Sequence, residues 1–348
     1  MGSDAQRVKV IGYRNLMTPR ELDEDDIRSR PKRSSRPRTK DRPDYTQATL
    51  GRVISVDRGR TGVLVEPNSQ VITAMKSREL GKKSVVVGDL VRIVGDISGS
   101  EGTLARIVVV EPRLNVLTRT VEDDAGMERM IVSNVDQIAI VIAAANPEPK
   151  HGFVDRALVV AFDQGIKPLI IVTKCDLADP SEFLTQYKDL GVEQVQVQRG
   201  SDLTALREKL RGKRTVLLGH SGVGKSTLVN ALVEAANRAT GDVNDVTGRG
   251  RHTSSSAVAI ALDKSEINEA DGWIIDTPGV RSFGLAHVQR DRVISAFAEF
   301  KEAIEHCPRN CSHDEENCAL NHWPSLDEKA LARLNNLRGL LREGKLRA

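Results

Sequence analysis

An apolar run, Thr215–Leu218, passes straight into Gly219-His-Ser-Gly-Val-Gly-Lys-Ser226, and Thr227-Leu-Val-Asn-Ala-Leu232 follows with the pattern of a helix. The spacing G-x-x-x-x-G-K-S between strand and helix confines the surrounding chain to an α/β fold, because the loop needs a strand to deliver it and a helix N-terminus to complete it. Gly219, Gly222 and Gly224 allow backbone N–H groups to turn inward around a phosphate, and the helix dipole adds positive potential there. In such a loop Lys225 reaches the β- and γ-phosphates and the Ser226 hydroxyl sits on Mg²⁺. His220, Ser221, Val223 and Thr227 complete the expected nucleotide contacts.

A phosphate loop does not choose a base. Thr173-Lys-Cys-Asp176, after the apolar run Pro168–Val172, matches the [NT]-K-x-D pattern that reads guanine. The Asp176 carboxylate can accept from guanine N1–H and from the 2-amino group, and adenine offers neither donor at that edge. Each charge-assisted bond is worth about 1.5–3 kcal/mol, so two give a hundredfold preference or more. The stem of Lys174 is expected along the base plane, with Thr173 and Cys175 completing the segment. Asp276-Thr-Pro-Gly279, after Trp273–Ile275, supplies a third element. There Asp276 is expected to hold the Mg²⁺ shell through water and the Gly279 N–H to sense the γ-phosphate.

The order of these elements is unusual. Base recognition at 173–176 precedes the phosphate loop at 219–226, so the sheet is expected to be cut and rejoined at termini that lie close together. The segment after Gly279 then runs directly into the C-terminal region, where loss of a γ-phosphate could move that region as a lever. Val280 follows Gly279, where many GTPases place a water-orienting Gln, so another residue must serve. The polar segment Gly248-Arg-Gly-Arg-His-Thr-Ser-Ser-Ser256 offers His252 for the water and Thr253 or Ser254 for Mg²⁺. A lone loop histidine is more often a plain surface residue.

Around this core the 348 residues divide by texture. Residues 21–26 are acidic, and residues 28–42 carry eight Lys or Arg against one Asp, interleaved with Pro31, Pro37, Ser34 and Ser35. Such a stretch cannot bury enough apolar surface to order itself, so residues 1–45 are expected to be a disordered basic arm, either a solubilising tail or an arm for nucleic-acid phosphates. Five β-rich runs follow, Gly51–Asp57, Thr61–Glu66, Val71–Ala74, Ser84–Val94 and Leu104–Val110, parted by turn residues. They predict an N-terminal OB-type β-barrel over 46–118. No aromatic residue lies between Thr46 and Thr118, so nucleic acid would have to be met by phosphate or shape contacts rather than by base stacking.

Apolar runs at Gln137–Ala144, Pro168–Val172, Gln194–Val197, Thr215–Leu218 and Trp273–Ile275 alternate with helical stretches. This predicts a central α/β P-loop GTPase domain, circularly permuted, over 119–286, with a parallel sheet covered on both faces. Val293, Phe297, Phe300 and Ile304 mark one amphipathic helix and Leu331, Leu334, Leu337 and Leu340 another, within a helical zinc-binding C-terminal module over 287–348. The metal is expected from Cys307, Cys311, His313 and Cys318, three thiolates and one imidazole within twelve residues, which suit one structural tetrahedral Zn²⁺ per chain. The odd cluster is a poor disulfide framework and fits a reducing cytosol. No run of about 18 apolar residues occurs and the first residues lack the apolar stretch of a secretory leader, so a cytoplasmic monomer with no membrane partner is expected.

Taken in order, Thr173–Asp176, Gly219–Thr227, Gly250-Arg-His-Thr253, Asp276–Arg281 and the Cys/His cluster make this chain resemble the circularly permuted, small-ribosomal-subunit-dependent GTPases, the RsgA family. The resemblance covers about residues 46–325. It implies a barrel, a permuted GTPase domain and a zinc module, acting late in small-subunit maturation with activity stimulated by that subunit. It further implies GTP and GDP as ligands, His252 as the catalytic histidine of the switch loop, and ribosomal RNA as the partner of the basic arm. Spacing in the cluster is one residue shorter at both cysteine gaps than in many members, and Ser254 stands at the second hydroxyl position of the switch motif. Two other readings stay open on sequence alone. One is a GTP-dependent regulator of a protein partner with zinc as a structural or sensing element. The other is a nucleic-acid-binding module that holds nucleotide without turnover.

Overall fold

The computed structural model describes residues 44–343 apart from 58, 66–69, 82, 121–127, 189, 241–256, 263–271, 278–284, 286–287, 289 and 325–326. The expected arm therefore falls outside the described residues but for its last two. Five strands, β1 (Thr49–Asp57), β2 (Arg60–Val65), β3 (Gln70–Lys76), β4 (Leu90–Gly95) and β5 (Ala105–Val110), pair in the order β1-β2-β3-β5-β4 and close by β4 on β1. Only β3 and β5 run parallel. This is the closed five-stranded barrel that the alternation of the sequence predicts, and closure leaves it no free edge. Its interior is aliphatic, with Val53, Val63, Ile72, Val91, Ile93 and Ile107 buried together.

The run Ser84–Val94 does not form one strand. The Asp89 carboxylate accepts the Val86 N–H at 2.9 Å and the Gly88 N–H donates to Val53 O, which folds 86–89 into a turn before β4 begins. Asp89 is fully buried and takes Arg113 Nε at 2.6 Å, Arg113 Nη2 at 2.8 Å and Ser133 Oγ at 2.6 Å. Asn134 Nδ2 donates to Gly88 O at 3.0 Å beside it. The knot fastens the barrel to a hairpin the sequence did not signal, β6 (Val116–Thr120) with β7 (Glu128–Ser133). Replacing Asp89 by Ala takes the carboxylate from the Arg113 guanidinium and leaves the Val86 N–H and the Ser133 hydroxyl without their acceptor. The expected loss is roughly 3–5 kcal/mol, read as a lower midpoint in urea denaturation.

Beyond the hairpin, β8 (Gln137–Ala143), α1 (His151–Asp163), β9 (Lys167–Thr173), α2 (Ser181–Thr185), β10 (Glu193–Gln196), α3 (Thr204–Leu210), β11 (Arg214–Leu218), α4 (Lys225–Thr240), β12 (Val258–Ala261) and β13 (Trp273–Asp276) build the α/β layer. The strands β10-β9-β8-β11-β13 are parallel neighbours. All seven residues of β8 are buried, because both its faces are covered. Ile138, Ile140 and Ile142 pack with α1, whereas Ala139, Val141 and Ala143 pack with Leu206 and Leu210 of α3 and Leu228 and Leu232 of α4. Within this layer β12 also went unsignalled: it is short and half-buried, pairs antiparallel with β13 and meets β1 through Ser55 opposite Val258. Through that rung the barrel and the α/β sheet form one run of eleven strands.

The expected helix through Val293 and Ile304 is broken. It comprises α5 (Arg290–Ser295), a 3-10 turn at Ala298–Phe300 and α6 (Lys301–Glu305). The break brings both Phe297 and Phe300 to full burial, with Phe300 edge-on to Trp323. The leucine repeat gives α7 (Glu328–Glu343), with Leu334, Leu337 and Leu340 buried. Among the described residues no helix is long and apolar enough to cross a membrane.

Candidate nucleotide site and metal centre

Because β9, β8, β11 and β13 run the same way, their carboxyl ends open on one edge of the sheet, the usual place for a ligand crevice in an open α/β sheet. The phosphate loop leaves β11 there, Thr173–Asp176 leaves β9, and Asp276 ends β13. A direct bond joins two of these segments: the buried Thr173 hydroxyl lies 2.5 Å from Val223 O and 3.1 Å from Ile142 O, so one proton serves the phosphate loop and β8. Lys174 takes a left-handed backbone (φ 57°) and its ammonium donates to Asn146 O in the loop after β8. Cys175 N–H donates to Val197 O at 3.4 Å, which brings the chain after β10 alongside. Asp176 is exposed at the tip.

The phosphate loop itself is shaped by close approach. A Cβ on Gly219 would stand 2.5 Å from Val141 O and 3.1 Å from a Val223 methyl, while Gly222 and Gly224 hold φ of 82° and 94°. Gly219→Ala would force the loop off the β8 backbone, since that carbonyl is held in the sheet. The expected cost is about 1–3 kcal/mol of overpacking, together with loss of the stabilisation that GTP gives in thermal denaturation. The Lys225 ammonium donates to Gly219 O and, at 2.9 Å, to His220 O, so it spans the mouth of the loop. Burial lowers its pKa below the ordinary lysine value, and the Asp276 carboxylate acts in the opposite sense. Ser226 and Thr227 are exposed on the first turn of α4. Asp276 pairs with Leu217 in the ladder, and the Thr277 hydroxyl donates to Leu217 O at 3.2 Å as the chain leaves the sheet. His252, Thr253, Ser254 and Gly279 lie outside the described residues.

Two neighbours escaped sequence reasoning. Asn146 offers only a backbone carbonyl, which no side-chain pattern reveals. Phe153 of α1 packs its ring 4.4 Å from that of His220, between residues far apart in the chain.

In the C-terminal region Cys307, Cys311, His313 and Cys318 have ligand atoms all within 4.8 Å of one another. Zn–S bonds of about 2.3 Å and Zn–N bonds of about 2.0–2.1 Å in a tetrahedron require edges of about 3.8 Å between sulfurs and about 3.6 Å from sulfur to nitrogen. Cys307 Sγ lies 3.8 Å from Cys318 Sγ and 3.6 Å from His313 Nδ1, and Cys318 Sγ lies 4.0 Å from the same nitrogen. None of the four cysteines in the chain is in a disulfide. Asn310 and His313 adopt φ of 61° and 65°, which turn the loop so that the four groups converge. Burial and the nearby Arg290 and Arg338 guanidiniums hold the His313 imidazole below its ordinary pKa, favouring the neutral form that ligates. The same two arginines donate to Cys311 O at 2.8 Å and His313 O at 2.7 Å, and would offset the net charge of three thiolates on a dication.

Residues 110–286 match the family described as RsgA GTPase. A curated relative from Gemmatimonas aurantiaca, the small ribosomal subunit biogenesis GTPase RsgA, is 33% identical over 286 residues, covering 79% of this chain and 91% of that protein. The chain belongs to the RsgA GTPase family. The protein of the same name from Pseudomonas aeruginosa is 40% identical over 233 residues, 64% of this RsgA-family chain and 66% of the relative's length. Among solved structures, YjeQ from Thermotoga maritima superposes with a TM-score of 0.62 at 26% identity, covering 85% of this chain and 98% of that one. YloQ, described as a circularly permuted GTPase, shares the fold with a TM-score of 0.60 at 21% identity over 86% of this chain and 96% of its own.

Proposed function

We propose that this chain hydrolyses GTP to GDP and phosphate as a late assembly factor of the small ribosomal subunit, and that the subunit stimulates its turnover. The observation that carries the reading is the Thr173–Val223 hydrogen bond, which pins the guanine-reading segment to the phosphate loop. The names of the relatives support the assembly role. A GTP-dependent regulator of a protein partner is not favoured by them.

In this reading Gly219–Thr227 wraps the phosphates, Lys225 bridges β- and γ-oxygens, and Thr173–Asp176 holds the base with Asp176 on the guanine edge. The Gly279 N–H senses the γ-phosphate. Ser226 would hold Mg²⁺ directly and Asp276 through water, with Thr253 or Ser254 as a further hydroxyl, and the ion would supply positive charge to the phosphates. His252 orients the attacking water, since Val280 cannot. Cys307, Cys311, His313 and Cys318 hold one structural Zn²⁺, and the basic arm over 1–45 meets ribosomal RNA. The domains divide at 46–118, 119–286 and 287–348, and the protein works as a monomer in the cytoplasm.

Purified small subunits should raise GTP turnover, while large subunits and free RNA should not. Stimulation by none of them would end the assembly reading. His252→Ala should lower the stimulated rate about 10²–10⁴-fold, the range of a lost acid–base or water-orienting group, with GTP affinity kept. An unchanged rate would move that role elsewhere.

A further inference from the structure

The N-terminal part of α1, from His151 to Asp155, touches three separate parts of the molecule. Phe153 packs on His220 of the phosphate loop. His151 stacks on Phe183 at 4.1 Å and lies 2.9 Å from the Tyr187 hydroxyl, in and just after α2, the helix that follows the base-recognition segment. Asp155 pairs with Arg333 of α7 and accepts from Asn336 Nδ2 of the same helix at 3.0 Å.

The ion pair is deeply buried, with side-chain exposures of 1% for Asp155 and 5% for Arg333. Arg333 also donates to Glu299 at 2.9 Å and lies 4.5 Å above the Phe297 ring, while its Nη2 finds no acceptor among the described residues. Buried ion pairs are weak devices for stability, because desolvation cancels much of the attraction, but they admit one geometry and reject near misses. Here the fixed geometry is the angle between α1 and α7, and Phe153, two residues before Asp155 on α1, carries the ring that packs on His220 of the phosphate loop.

We infer that Asp155 and Arg333 are positioning residues of a relay in which α7 and the phosphate loop sense each other through Phe153 and the N-terminal part of α1. Two sites joined this way must influence each other reciprocally, so nucleotide at the loop should be felt in α7. The relay rests on the proposed GTP-binding function.

The test is amide hydrogen exchange of the full chain, with and without a non-hydrolysable GTP analogue, in the parent protein, in Asp155→Leu/Arg333→Met and in Phe153→Leu. The paired replacement removes both charges at once, so neither is left stranded. Phe153→Leu keeps the ion pair and removes only the ring on His220, which decides the matter if the double variant fails to fold. Exchange across Glu328–Glu343 should slow about fivefold on nucleotide binding in the parent, the low end of ordinary coupling, and the response should vanish in the variants while GTP still binds. Binding of GTP with α7 indifferent in the parent, or equally responsive in the folded variants, overturns the relay alone. Failure of the parent to bind GTP in direct titration overturns the functional reading and the relay with it.

Discussion

Stripping zinc with a strong chelator is expected to unfold the C-terminal module while the barrel and the parallel sheet stay folded. Zinc in small Cys/His modules contributes apparent free energies of about 10–16 kcal/mol at neutral pH, more than most domains have in total. The loop from Cys307 to Cys318 is largely exposed apart from its ligands, and its other ties are polar ones, from Arg290, Arg338, Arg342 and Asn321. The damage should spread, because Cys318 lies in the same buried cluster as Leu320, Leu334 and Leu337, and Arg338 of α7 is tied to His313 O. Circular dichroism should lose the helical signal of α7, trypsin should begin cutting within 301–343, and metal analysis should find one zinc per parent chain. Cys318→Ala should behave like the chelated protein. If the metal-free chain keeps its helix signal and its protease resistance, the cluster is not a structural zinc site.

The second large effect is a change of base. In Asp176→Asn one acceptor oxygen becomes an NH₂ donor, which faces the 2-amino group of guanine as a repulsive pair. Xanthine carries a carbonyl oxygen at that position and suits the amide. With two charge-assisted bonds at stake, each about 1.5–3 kcal/mol, GTP should weaken by a factor of about 10²–10⁴ and xanthosine triphosphate should gain. Competition of the two nucleotides for one labelled ligand measures both changes. The exposed position of Asp176 and the anchoring of Thr173 make misfolding of this variant improbable on physical grounds. Equal preference for GTP before and after substitution would remove Asp176 from the base edge.

Local chemistry was legible in the sequence, whereas long-range pairing was not. The glycine spacing of 219–224 announces its loop because the backbone there has few alternatives, and the apolar runs of β8, β9 and β11 announce a sheet covered on both sides. The Cys/His spacing foretold a convergence that the distances bear out. By contrast β12 has only four half-buried residues, so its existence depends on β13 and β1 lying beside it. The turn at 86–89 was hidden because a carboxylate, rather than Gly or Pro, makes it. The broken helix at 296–300 was hidden because a helical period describes which residues are apolar and not how two phenyl rings share a cavity. Arg333 and Asp155, 178 positions apart, could be joined only by the fold.

The barrel is fastened to the rest of the protein in two unequal ways. On one side stands the Asp89 knot, with Arg113 and Ser133. On the other, among the described residues β1 meets β12 only at Ser55 and Val258, against the ladder that β1 shares with β2 from Gly51 to Asp57. A single rung is worth about 1 kcal/mol, less than the buried ion pair and hydrogen bonds of the knot contribute together. If heating loosens the barrel from the sheet, amide exchange should therefore quicken first at that seam, with the five strands of the barrel still paired among themselves.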